Sequence, residues 1–142
     1  MTDAQRRAEL IVEGMLARDE LSRWLGLEVV ELRPARCACR MTVRHEMVNG
    51  FGVAHGAIVF ALADSTLAFA CNTQGRIAMS IENGVSYPAP VHPGDELTAL
   101  VEEERATGRL GFYSGRVRNQ RGELVALFRG TVYKTSQEHP VA

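Results

Sequence analysis

From Ala57 to Cys71 the chain is built almost entirely of Ala, Ile, Val, Leu and Phe, and it carries one charge, Asp64, in the middle. A helix that is apolar on all sides must be buried on nearly all of them. In 142 residues that requires a sheet curved around the helix, with a second subunit covering what the sheet leaves open. The lone carboxylate is the second constraint. Ionised in such surroundings it costs several kcal/mol unless it is paired or hydrogen-bonded. Acid–base work gives a reason to keep it, because burial raises a carboxylate's pKa and sharpens its basicity or nucleophilicity. The alternative is a structural Asp that caps or pins a neighbouring loop.

The residues before this run supply a complementary group. In Asn49-Gly-Phe-Gly-Val-Ala-His55-Gly56, the glycines permit a tight loop. Gly56 stands where the helix should begin. The first N–H groups of a helix have no internal partner, and together with the helix dipole they favour negative charge. A free amide at a helix start and a buried carboxylate are the minimum for acyl transfer: one holds an oxyanion while the other activates or delivers the attacking oxygen. No Gly-x-Ser-x-Gly nucleophile elbow is present, so a serine hydrolase mechanism has no support.

The rest of the chain reads as a sheet with a helical N-terminal segment. Leu10, Ile11, Met15, Leu21, Trp24 and Leu25 recur at near-helical spacing, which predicts helix over residues 3–24, broken in two by Gly14, within an N-terminal segment 1–25. Leu27–Arg33 reads as a strand closed by Pro34. Cys37, Cys39, Met41 and Val43 then alternate with their neighbours at a strand's period of two. Residues 44–55 form the loop, and the apolar helix covers about Gly56–Thr73, stopping near Gly75. Four further strands are predicted, Ile77–Tyr87, Glu96–Arg105, Arg109–Asn119 and Glu123–Lys134, the last three as a meander. Residues after Lys134, 136–142 in particular, read as a frayed tail. The order is α+β in a single domain, 1–142.

Composition narrows the function further. A net charge of −1 with 46% hydrophobic residues describes a globular protein with no basic excess for nucleic acid. No apolar run approaches the roughly 20 residues of a membrane helix, and the first residues lack the hydrophobic core of a signal peptide, so a cytoplasmic protein is expected. Cys37 and Cys39 share a face as small buried hydrophobes. With no His or second Cys pair nearby they do not suggest zinc, and neither metal nor cofactor is expected.

Several motifs occur together and in order: Asn49-Gly-x-Gly-x-x-His55-Gly56, Leu62-Ala-Asp64, Ala70-Cys-Asn-Thr-Gln-Gly75, His92-Pro-Gly-Asp95, Arg116-Val-Arg-Asn-Gln120 and Val125-Ala-Leu-Phe-Arg-Gly130. Over roughly residues 20–135 the chain resembles the hotdog-fold acyl-CoA thioesterases of the PaaI-like, phenylacetate-degradation group. The resemblance implies a curved antiparallel sheet wrapped around a long central apolar helix. It implies hydrolysis of a CoA thioester of a small aromatic acyl group, with Asp64 as general base or nucleophile and the Gly56 amide as oxyanion donor. Asn49 would position the water or the thioester carbonyl. One departure is visible, since the family's Gly-Gly after the histidine is here Gly56-Ala57; alanine keeps its N–H.

His55 either holds the loop through backbone hydrogen bonds or touches the substrate carbonyl. Ser80 either orients the attacking water or faces solvent. Arg105, Arg109, Arg116, Arg118 and Arg121 either form a solvated face balanced by glutamates or, at Arg109, meet the phosphates of CoA. Phe51, Phe60 and Phe69 either line an acyl pocket or belong to the core. CoA enters as substrate. The expected assembly is a homodimer with shared active sites, and a homotetramer by resemblance. The rival function is a non-catalytic acyl-CoA binding or sensing protein. A hotdog dehydratase would need a histidine on the central helix, which has none.

Overall fold

A computed structural model describes residues 1–141. Two helices, α1 (Asp3–Arg18) and α2 (Glu20–Leu25), precede strands β1 (Glu28–Arg33) and β2 (Arg36–Thr42). The loop follows, with a short 3-10 turn at His45–Met47, and leads into the central helix α3 (Gly56–Asn72). Strands β3 (Arg76–Ser86), β4 (Glu96–Thr107), β5 (Leu110–Arg118) and β6 (Leu124–Glu138) complete the chain. The six strands form one antiparallel sheet in the order β1-β2-β4-β5-β6-β3. The fold is α+β, with the sheet curved around α3 in the hotdog arrangement. Among the described residues no helix is long and apolar enough to cross a membrane.

The core sits where α3 meets the concave face of the sheet. Leu62, Leu67 and Phe69 of α3 pack with Cys37, Cys39 and Met41 of β2, Leu97, Ala99 and Val101 of β4, and Val117, Val125 and Val132. Cys37 and Cys39 lie within this core as the period-two reading requires, with their sulfurs 3.8 Å apart. Burial pushes the Cys71 thiol up to about 12, which leaves it unreactive. Asn72 ends the helix as a structural amide: its Oδ1 accepts the Ala78 N–H and its Nδ2 donates to the Ala68 and Ala78 carbonyls.

Two expectations are corrected. The N-terminal helix breaks at Asp19, not at Gly14. Asp19 is extended, and its carboxylate caps α2 by accepting from Ser22 N–H at 3.0 Å and Ser22 Oγ at 2.6 Å. A side chain that captures a free helical N–H is a stronger punctuation mark than a helical glycine. Gly14 simply continues α1, with nothing among the described residues within 4 Å of where its Cβ would be. Gly14→Ala is therefore expected to stabilise the protein by about 0.5–1 kcal/mol, measurable as a rise in the urea midpoint with unchanged slope.

The second correction concerns the C-terminus. Residues 136–138 are strand rather than tail, because Glu138 pairs with Arg76 at the start of β3. His139 continues the contact: its N–H donates to Gly75 O, and its Nε2 lies 2.7 Å from Asn72 Oδ1. Polar residues carry no signal of such pairing, since an edge partner is held by backbone bonds. Ala142, in the predicted tail, lies outside the described residues.

Candidate active site

The loop before α3 is held by its own backbone and by Asn49. Asn49 Oδ1 accepts the Phe51 N–H at 2.9 Å, its N–H donates to Val53 O, and its carbonyl accepts from Gly52. This leaves the Asn49 Nδ2 as an unused donor among the described residues. Val48 and Ala54 form an isolated bridge, and the His55 N–H donates to Met47 O. His55 is the N-cap of α3, and its Nδ1 accepts the Ala57 N–H at 3.1 Å. The ring thus accepts from the backbone of the turn, with Nε2 left as its donor.

With Ala57 N–H bound to His55 Nδ1 and Ile58 N–H to His55 O, the Gly56 N–H has no acceptor among the described residues. It is the orphan donor that a helix start provides. Tyr87, a residue the sequence did not single out, lies against it. Its hydroxyl donates to Gly56 O at 2.8 Å, and a Cβ on residue 56 would approach the ring to 3.3 Å. Beside this turn lies a cavity of about 310 Å³ lined by Val53, Ala54, Val59, Tyr87, Ala89 and Val91.

Asp64 is half-buried in the single chain. It lies on the stripe that the sheet does not cover, with Ala57, Ala61 and Ala68, which share one helical face at spacings of three and four. Burial raises its carboxyl above the usual range, the Asn83 hydrogen bond pulls it down, and the charge of Asp19 raises it further. Asn83 Nδ2 donates to Asp64 Oδ1 at 3.0 Å and approaches Ser80 Oγ at 3.4 Å. Ser80 therefore stands one residue removed from Asp64. Next to Asp64, Ser65 Oγ joins Ser22 Oγ at 2.8 Å, and Ser22 joins Asp19, which docks α2 behind the site.

Other candidates lie apart. Arg109 is on the β4–β5 turn and donates to Lys134 O at 3.2 Å. Lys134 is four residues along β6 from Gly130, the partner of Asn83, or about 13 Å in a strand. Phe69 is wholly buried in the core, and Phe60 packs edge-on against Phe128 at 5.8 Å. Phe51 projects from the loop, 92% exposed.

Asn83 is the contact that period-two reading hides. In a regular strand Ser80 and Asn83, an odd number apart, face opposite sides. Here a bulge between Ser80 and Glu82 changes the phase. Nothing in the local sequence announces it.

The sequence and fold have known counterparts. A profile of the thioesterase superfamily matches residues 51–126. The acyl-coenzyme A thioesterase PaaI of Escherichia coli is 32% identical over 120 residues, 84% of this chain and 86% of that one. The structure of the E. coli PaaI protein from the phenylacetic acid degradation operon superposes with a TM-score of 0.93 at 29% identity, covering 96% of this chain and 99% of that one. The TT0310 protein from Thermus thermophilus superposes with a TM-score of 0.80 at 36% identity, over 83% of this chain and 99% of that one. With an orphan amide at the start of a buried helix and a carboxylate farther along it, the chain belongs to the thioesterase superfamily as a PaaI-like hotdog thioester hydrolase.

Proposed function

We propose that the protein is a cytoplasmic acyl-CoA thioesterase acting on small aromatic acyl groups, at sites shared between two subunits. The observation that carries this reading is the unpartnered Gly56 N–H at the head of the helix that bears Asp64. Asp64 takes a proton from water, and the resulting hydroxide attacks the thioester carbonyl carbon. The carbonyl oxygen becomes an oxyanion against the Gly56 N–H, with the Asn49 Nδ2 as a second donor. The intermediate collapses by breaking the C–S bond, and CoA leaves as a thiolate that needs no strong acid. The proton on Asp64 passes to that thiolate or to solvent, restoring the base. His55 holds the turn that carries the amide, Ser80 stands behind Asn83, one contact removed from the carboxylate, and Arg109, set apart from both on the β4–β5 turn, meets the CoA phosphates. Direct attack by Asp64 to give an anhydride uses the same groups; multiple turnovers in ¹⁸O-water would label its carboxylate in that case only.

The shared site follows from distance. Gly56 and Asp64 are eight residues apart on α3, about 12 Å along the axis. An Asp side chain leaning toward the helix N-terminus recovers only a few Å. The oxyanion donor, however, must lie about 3 Å from the oxyanion, with the attacking oxygen about 3–3.5 Å from the carbonyl carbon. Two antiparallel copies of α3 about a two-fold axis meet both demands. The open Ala57–Ala61–Asp64–Ala68 stripe lets backbones approach closely, and the free edge of β3 exposes Met79 and Ile81 at 60% and 61%, which supports pairing there. Phe112, Leu127 and Tyr133, also exposed, support further association into a tetramer.

The aromatic preference draws on the likeness to a protein of a phenylacetic acid degradation operon. A thiol-release assay with phenylacetyl, hydroxyphenylacetyl, benzoyl and aliphatic CoA thioesters tests it. The expected result is a higher kcat/KM for the aryl thioesters. Equal rates on aliphatic chains would remove the aromatic assignment, and tight binding with no turnover on any thioester would make the protein an acyl-CoA sensor.

A further inference from the structure

Two asparagines serve α3, the buried Asn72 at its end and the half-buried Asn83 of β3, and they are used differently. Asn72 satisfies both ends of its amide on the backbone of Ala68 and Ala78, which is what a structural amide does. Asn83 does not. Its Nδ2 is given to Asp64 Oδ1 at 3.0 Å and, more weakly, to Ser80 Oγ, while its Oδ1 is buried with no partner among the described residues. Leaving a buried acceptor unmade is costly. The fold accepts that cost where the amide nitrogen meets the one carboxylate of α3.

The backbone around Asn83 is arranged for this contact. Ser80 pairs with Val132 and Asn83 with Gly130, and the register shift between Ser80 and Glu82 makes Ile81 the extra residue. Residues paired directly across strands share a face, so Ser80 and Asn83 both lie on the face of the buried Val132 and Gly130, with Asn83 half-buried and Ser80 itself exposed at the sheet edge. Glu82, paired with Thr131, faces outward and pairs with Arg129. Bulges are used in this way to re-aim a side chain beside a site. Gly130 completes the seat: a Cβ there would fall 2.8 Å from Asn83 Oδ1 and 2.6 Å from Leu67 Cδ2, closer than any side chain could remain.

We propose that Asn83 is a positioning residue of the reaction, delivered by the β3 bulge. It holds Asp64 Oδ1 and so presents Oδ2, which has no partner among the described residues, to the reacting water. The proposal rests on the reading of Asp64 as the base. A carboxylate free to rotate offers the water either oxygen at varying distance, and small displacements of reacting groups are expensive in rate. The same N–H favours the charged carboxylate, so the contact also keeps Asp64 ionised at lower pH than burial alone would allow.

The test compares Asn83→Ala, and Asn83→Ser should Ala fail to fold, with the wild type and with Asp64→Asn. Turnover of the best thioester substrate should fall about 10- to 100-fold in the Asn83 variant, with KM changed less than about threefold. The acid limb of its kcat/KM profile should move to higher pH. In ¹³C-labelled protein the Asp64 carboxyl resonance should titrate at higher pH than in wild type, a reading that needs no substrate. Wild-type turnover with an unmoved limb and resonance in the Asn83 variant, beside an inactive Asp64→Asn, would overturn the proposal and leave the role of Asp64 standing. Lowered thermal stability with the limb unmoved would assign Asn83 a structural tie and also overturn it. An active Asp64→Asn enzyme would overturn the general-base reading, and this proposal with it.

Discussion

Asp64→Asn is expected to lower turnover by about 10²–10⁴-fold, the usual contribution of a positioned base, while binding of acyl-CoA stays close to wild type. Asn is nearly isosteric with Asp, so the change removes the charge without opening a cavity. The proposed mechanism also predicts the pH dependence. The base acts only when ionised, so kcat/KM should rise through the Asp64 pKa, which burial and the Asp19 charge hold above the ordinary carboxylate value. Stability should move in the opposite sense. A carboxyl whose folded pKa lies above its unfolded value binds its proton more tightly in the native state, so its ionisation lowers stability as pH rises through that window. Asp64→Asn removes this penalty and should unfold at a temperature no lower than wild type at neutral pH. A near-normal kcat in this variant would refute the mechanism. An inactive variant with reduced stability would point to a structural Asp.

Mixing two nearly inactive proteins, Asn49→Ala and Asp64→Asn, should restore activity once subunits exchange. In a site built in trans, Asn49 and Gly56 come from one subunit and Asp64 from the other. Each mixed dimer then holds one site with both mutations and one with neither. Random exchange makes about half the dimers mixed, so activity should return to about a quarter of wild type. The measurement is thiol release after incubation of equal amounts, with each variant alone as control. Asn49→Ala also loses the side-chain acceptor for Phe51 N–H, so each parent should first be shown to be folded by circular dichroism. A site complete within one chain gives no recovery in any mixture, and that result would remove the shared-site model.

The helical break illustrates where reading residues one at a time falls short. Gly14 is a poor helix former, and propensity alone places the interruption there. Asp19 prevails because its carboxylate captures Ser22, and Ser22 in turn meets Ser65 of α3, a contact made only after the chain has folded back on itself. Residues 136–138 follow the same logic, since the backbone of β3 recruits them whatever their side chains. The residues leave His55 open between holding the loop and touching the substrate carbonyl, and its contact as acceptor for Ala57 N–H needed the three-dimensional turn.

What the sequence alone determined is what periodicity and local chemistry encode. These are the apolar helix and its single carboxylate, the glycine-rich turn that leaves the Gly56 amide free, and the alternation that puts Cys37, Cys39 and Met41 into the core. Each depends on residues within a few positions of one another. The tertiary structure decided the surroundings of Asp64: which stripe of α3 stays open, the approach of Asn83, and the packing of Tyr87 on Gly56. Asn83 reaches Asp64 only because one extra residue at Ile81 reverses the phase of β3 and Gly130, far along the chain, has no side chain to block it. Such an arrangement is a sum of register, bulge and close approach between distant segments, and it exists only once the sheet has closed around the helix.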